Sequence, residues 1–263
     1  MENRIRQAAV AGLFYPADPT ALSSQIDAFL NAAECKESSP KAMIVPHAGT
    51  IYSGPVAASA YAQLKNIGHK IKRVILLGPA HRVGFRGLAA PSHQYFETPL
   101  GQIEIDLEAV KKITEKFPQV ILDDRPHAEE HSLEVQLPFL QKTLGNFKLL
   151  PLVVGQATAD EVAEVIREYW GGPETLVVIS SDLSHFHDYA TAIKRDSKTS
   201  AAIETLHGEM IGPEDACGFL PVRGLLKIAE EKNLKVETID QRNSGDTAGD
   251  KNRVVGYGAY LFN

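Results

Sequence analysis

The sequence predicts an α/β protein built on a mostly parallel, twisted sheet with helices on both faces. Three observations carry this. Short runs that are apolar throughout recur along the chain. Longer segments with apolar residues at helical spacing lie between them. Gly and Pro are scattered, so no linker divides the chain and residues 1–263 read as a single domain. At 263 residues, with 44% apolar and 23% charged side chains, the chain can bury a substantial core without disulfides or other staples.

Asp18-Pro19 starts a helix that presents Leu22, Ile26, Phe29 and Leu30 on one face. Residues 41–46, KAMIVP, form a strand closed by proline, and a helix over about 55–64 follows. Residues 73–78, RVILLG, give a second buried strand. The stretch 80–100, rich in Gly, Pro and aromatic residues, reads as an irregular insertion with room for a short hairpin. Asp106 caps a helix bearing Leu107, Val110, Ile113 and Phe117. Ser132 is expected to cap another, with Leu133, Leu137, Leu140 and Leu144 on one side. Residues 147–154 form a strand despite Pro151. Thr158 caps a helix with Val162, Val165, Ile166 and Tyr169, and residues 175–180, TLVVIS, form the next strand. Helices over about 189–206 and 221–233 and strands over 236–240 and 253–262 complete the series.

Lys plus Arg number 27 and Asp plus Glu 33, a formal charge of −6, which argues against a nucleic-acid partner or an anionic membrane surface. No stretch approaches the 18 or more apolar residues of a membrane span, and the opening residues carry no long apolar leader run. Two cysteines, Cys35 and Cys217, make no secreted disulfide framework. The expected location is cytoplasmic.

The chemistry gathers just after the strands. His47 follows KAMIVP, His81 follows RVILLGPA, Asp182 and His185 follow TLVVIS, and Ser244, Gly245 and Asp246 follow the strand near VETID. Ligands of open α/β sheets bind beyond the carboxyl ends of the strands. Imidazoles suit iron, zinc and related metals, and a carboxylate can complete such a site. Hydrolysis, oxygen chemistry and metal storage all stay open on this inventory. Asp182 and Asp246 also have plain turn readings. His131, in RPHAEEHSLEVQLPF, stands at the mouth of the expected helix and can serve as acid, base or donor to a ligand. HAEEH is not the HExxH zinc motif, because Ala follows His127. Cys217, before Gly218 at a helix start, is either a small core residue or a thiol with a lowered pKa. Phe14, Tyr15 and Tyr52 could wall a pocket or simply pack the core.

Seven ordered segments cover nearly the whole chain: AVAGLFYPADP, PHAGTIYSGPVAASAY, ILLGPAH, EEHSLEVQLPFL, ISSDLSHF, ACGFLP and NSGDTAGD with VVGYGAY. Together they resemble the Memo family, named for a mediator of cell motility. That family is similar in fold to the class III extradiol (LigB-type) dioxygenases, which hold non-haem Fe(II) with two His and one carboxylate. The resemblance implies a metal cleft lined by His47, His81 and His185, with Asp182 and His131 beside them. It implies a divalent metal, Fe(II) first, with zinc or copper as alternatives. Combined with the strand-end reading, His47 and His81 are expected to hold the ion, with His185 or Asp246 as third ligand. His131, His185 and Asp182 are the expected catalytic groups. The expected function is an iron-dependent oxidoreductase of extradiol type. The alternatives are a metal-dependent hydrolase using the same cleft and a non-enzymatic metal- or peptide-binding protein. A small-molecule or peptide ligand is expected in the cleft. The resemblance adds AMMECR1-like and radical SAM proteins as partners.

Overall fold

The apolar runs become the central strands of a nine-stranded sheet in a computed structural model, which describes residues 4–36 and 38–263. In chain order the elements are β1 (Ile5–Arg6), α1 (Pro19–Ala32), β2 (Ala42–Val45), α2 (Thr50–Tyr61), β3 (Arg73–Pro79), β4 (Leu88–Ala90), β5 (Tyr95–Thr98) and β6 (Gly101–Glu104). Next come α3 (Leu107–Lys116), β7 (Val120–Leu122), α4 (Arg125–Ala128), α5 (Leu137–Thr143), β8 (Lys148–Val154), α6 (Ala159–Glu168), β9 (Thr175–Ser180) and β10 (His185–His187). The series ends with α7 (Tyr189–Glu204), α8 (Phe219–Glu231), β11 (Val236–Asn243) and β12 (Val254–Phe262).

The large sheet runs β10-β12-β2-β9-β3-β8-β4-β7, with β11 also on β12. Helices cover both faces, as expected. The strand directions differ from the expectation, because the sheet is mixed. Its centre, β2-β9-β3-β8, is parallel, but β12 runs antiparallel to β2, β10 and β11, and β4 antiparallel to β8. The last two long strands are joined by the short 244–253 connection, too short for a crossover helix, so they must fold back as a hairpin. A separate three-stranded sheet, β1-β5-β6, contains the hairpin expected within the 80–100 insertion, extended to Glu104.

Burial explains the strands' composition. Val74, Ile75, Leu76 and Leu77 of β3 and Leu176, Val177, Val178 and Ile179 of β9 are fully buried between helical layers. Each such side chain contributes about 1.5–3 kcal/mol over leaving it in water. Pro151 is tolerated inside β8. Its missing N–H faces the gap between the Ile105–Leu149 bridge and the β4 pairing, which begins only at Val153.

Asp18, Asp106 and Thr158 cap their helices through side-chain bonds to Ala21, Ala109 and Glu161 amides. Two helix starts differ from expectation. The helix expected from residue 55 begins at Thr50, with Pro55 inside it. Its first amide is bonded by the Phe14 carbonyl, a partner from a distant loop rather than a local cap. Ser132 caps nothing: its hydroxyl donates to the Pro79 carbonyl, and the α-helix starts only at Leu137 after a 3₁₀ turn at Glu134–Gln136.

Candidate metal centre

Three strand or loop ends deliver imidazoles to one point. His47 follows β2, His81 follows β3, and His131 precedes the 3₁₀ turn at 134–136. One ligand nitrogen from each lies within 4.8 Å of the others. Ring centroids of His47 are 5.2 Å from His81 and 5.4 Å from His131; His81 and His131 stack at 4.6 Å.

Hydrogen bonds fix the tautomer of two of these rings. Ser180 Oγ donates to the Ser132 carbonyl at 2.6 Å and accepts from Gln136 Nε2 at 2.8 Å. Gln136 is oriented by the Pro46 carbonyl, which takes its N–H, and by the Tyr61 hydroxyl, which donates to its oxygen. Ser180 has a single proton, already given away, so His47 Nδ1, 2.9 Å distant, must donate to it. His47 Nε2 then carries a lone pair. Burial, reinforced by the neighbouring His81 and His131, holds His47 neutral, with its pKa well below the ordinary value.

His81 is held likewise. Its Nδ1 lies 2.9 Å from Glu130 Oε1, and its amide donates to Oε2 at 2.6 Å. Glu130 also accepts the His131 and Ser132 amides. Burial alone would raise the Glu130 pKa, but the bonds from His81 and the Ser132 amide bring it down to about 2. The carboxylate therefore takes the Nδ1 proton and leaves His81 Nε2 free. This carboxylate–histidine arrangement orients metal ligands. His131 Nδ1 is buried 3.3 Å from the same Glu130 Oε1 without making a hydrogen bond, and burial lowers its pKa against the pull of that carboxylate. Its ring packs on Phe14 at 4.6 Å.

Phe14 is fixed from beneath. The buried Glu134 carboxylate accepts from Arg6 Nη1 (2.5 Å), the Ala9 and Val10 amides and the Tyr15 hydroxyl. Arg6 in turn donates to the His127 and Glu130 carbonyls. The loop bearing Phe14 and the segment bearing His131 are thus tied to one buried ion pair.

Of the trio, His131 lines a cleft of about 430 Å³, whose wall also includes Asp182, His185, Tyr52, Tyr257 and Arg253. Asp182 is buried and accepts the His47 amide at 2.6 Å. Burial pushes its carboxyl pKa up, against the pull of His185. His185 sits on the cleft wall at the start of β10. The structure does not bring Asp246 to the trio. Asp246 is exposed, and its oxygens accept from the Tyr189 hydroxyl and the Asn243 amide, closing a capping box at the end of β11. Cys217 reaches one member of the trio: its sulfur is 3.4 Å from His47 Nε2 and accepts the Asp182 amide. Burial raises its thiol pKa, the reverse of the expected helix-terminus effect, because desolvation of the thiolate and the nearby Asp182 charge outweigh the dipole.

Glu130, Ser180 and Gln136 were not singled out from the sequence. The first sits beside His131 in an acidic pair, and the others look like ordinary strand-end and helix residues. Only the fold shows that they share atoms with the histidines.

A family model described as "Memo-like protein" matches residues 6–261. The chain belongs to this family. Memo-like relatives include a "MEMO1 family protein" of Aquifex aeolicus, 37% identical over 98% of this chain and 99% of its own length. Another, of Sulfolobus acidocaldarius, is also 37% identical, over 98% and 99%. Among solved structures, the uncharacterized protein JW3007 of Escherichia coli K12 matches with a TM-score of 0.50 at 14% identity, over 82% of this Memo-like chain and 98% of that one, a likeness of fold alone. No helix among the described residues is long and apolar enough to cross a membrane.

Proposed function

We propose that the protein is a divalent-metal enzyme whose ion is held by His47, His81 and His131, with iron-dependent oxidoreductase chemistry of extradiol type as the first reading. The observation that carries it is the pair of tautomer-fixed imidazoles with Nε2 lone pairs, His47 and His81, which share one point with the His131 ring, a ligand nitrogen from each lying within 4.8 Å of the others. A lone unpaired nitrogen is not the signal, since the buried His127 Nδ1 also has no partner; it is the convergence of three imidazoles, two of them locked with Nε2 free, that leaves nitrogen capacity for an ion. The donor set suits Fe(II), zinc or copper. Cys217 is not one of the three clustered ligands, but it stands beside His47 at a ligand-like spacing. Two ligands of one tetrahedral ion, at about 2.3 Å for sulfur and about 2.0–2.1 Å for nitrogen, stand roughly 3.5 Å apart. That is close to its 3.4 Å from His47 Nε2.

A bound ion would supply Lewis acidity or an electron relay at this point. The chain's own residues do the rest. Glu130 and Ser180 hold His81 and His47 in one tautomer. His185 and Asp182, lining the cleft, accept or return a proton from a ligand. Phe14, Tyr52 and Tyr257 wall the space and limit water.

The all-imidazole trio supports hydrolysis as a second reading, since open three-histidine sites also activate water. AMMECR1-like and radical SAM partners, a cytoplasmic location and a single domain over 1–263 belong to this proposal as expectations from the family resemblance and the sequence.

The test is elemental analysis of anaerobically purified protein beside His47→Ala, His81→Ala and His131→Ala variants. About one ion per chain, lost in each variant, supports the site. Iron with ligand-dependent O₂ uptake supports the first reading, and zinc with O₂-independent turnover the second. A wild type that binds no iron, zinc or copper after reconstitution overturns both.

A further inference from the structure

The bulged edge strand β10 places an unusual pair at the mouth of the cleft. β10 and β12 pair through His185–Val255 and His187–Val254, so Phe186 is an extra residue between two rungs. Its φ is +64°, a left-handed conformation that a bulky residue adopts only under constraint. The bulge sends His185 to the cleft wall and leaves the Phe186 ring 60% exposed. The exposed ring is covered on one face: the Arg253 guanidinium lies over it at 4.4 Å from the centroid. The His185 ring meets its edge at 5.6 Å.

Stacking uses the face of a guanidinium and leaves its in-plane N–H donors unspent. No carboxylate among the described residues pairs with Arg253, although the protein pairs many of its other cations. Asp250, on the same rim, spends one oxygen on the Asn252 amide. Arg253 is the one Arg or Lys lining the cleft among the described residues. An exposed, unpaired guanidinium stacked on the rim of the cleft that His131 lines is a forked receptor for an oxyanion.

We propose that Arg253, held by stacking on Phe186, recognises an anionic group of the ligand. The ligand class is then a metal-chelating molecule that also carries a carboxylate or phosphate, with a flat or apolar body between Tyr52 and Tyr257. This rests on the metal-centre reading above and adds the substrate class to it.

The test uses protein loaded with zinc, which is redox-silent, and three probes followed by calorimetry: benzohydroxamate, its 4-carboxy derivative and its 4-phosphono derivative. The wild type is expected to bind at least one anionic probe about tenfold or more tighter than benzohydroxamate, and the tighter one names the oxyanion. Arg253→Gln is expected to erase the preference while leaving benzohydroxamate affinity within about twofold, and Arg253→Lys to retain part of it. Phe186→Leu is expected to shrink the preference, because the guanidinium loses its platform. Equal affinity for all probes in the wild type, or a preference untouched in Arg253→Gln, overturns the proposal and leaves the metal centre standing. Failure to take up zinc in the first place removes the metal reading and this proposal with it, whereas zinc-loaded protein that binds no probe overturns this proposal alone.

Discussion

Replacing Glu134 with Gln tests the tie between the amino-terminal segment and the histidine cluster. The carboxylate is fully buried and accepts four hydrogen bonds. Glutamine keeps one acceptor oxygen for the Val10 amide and Tyr15 hydroxyl. Its NH₂ then faces two donors, the Ala9 amide and Arg6 Nη1. Removing one partner of a buried ion pair costs about 3–5 kcal/mol, and an unmade buried amide bond about 1–3 kcal/mol. A loss of at least about 3 kcal/mol is expected, a large part of the 5–15 kcal/mol typical of a whole domain, so roughly a third of the stability goes. Equilibrium denaturant unfolding with intact slope measures it. The Phe14 loop should loosen as well, lowering metal occupancy through its packing on His131. Arg6→Met in the same background should be strongly non-additive, because the stranded guanidinium is the main cost; the His127 and Glu130 carbonyls that it leaves open keep recovery partial. A Glu134→Gln midpoint within about 0.5 kcal/mol of wild type, or simple additivity with Arg6→Met, would refute the reasoning.

Glu130→Gln should lower metal affinity about 10–100-fold in competition with a chelator, by loosening the His81 tautomer; unchanged affinity means Glu130 does not orient the ligand. His127 is buried, its Nε2 bonded to the Ala89 carbonyl, and burial lowers its pKa from 6.5 to about 3. The unfolded chain then binds more protons, so stability is full above pH about 6.5 and falls as the pH drops toward the folded value. From pH 7 to 5 this group alone removes about 2 kcal/mol, and His127→Gln should lose that much less across the same range in urea melts; parallel losses would count against it. At Gly256 a Cβ would stand 2.0 Å from Asp196 Oδ2 on α7. Gly256→Ala should therefore cost about 1–3 kcal/mol, with partial rescue by Asp196→Ser; thermal melts that show no difference would sink this account.

The sequence determined this protein's fold class and that candidate ligands stand at the ends of its strands. Apolar runs at β2, β3, β8 and β9 can be buried only on both faces, so their strand character and the helices around them follow from composition alone. Caps at Asp18, Asp106 and Thr158 are local hydrogen bonds, readable within four residues. His47 and His81 stand directly after strands, so their arrival at one sheet edge follows from a parallel centre. The tertiary structure decided the rest, because the deciding contacts join residues far apart in the chain. Phe14 caps the helix at Thr50, and the Pro79 carbonyl takes the Ser132 hydroxyl, moving two helix starts away from their local signals. A hairpin return makes β12 antiparallel. Which candidate groups meet was decided the same way. Asp246 is spent on Tyr189 and Asn243, whereas His131 and Cys217 are carried to His47 by separate loops. Glu130 and Ser180 come to hold His81 and His47 only where the ends of β3 and β9 meet the 130–136 segment. A sequence shows which side chains can bind or titrate; long-range packing decides which nitrogen each leaves free.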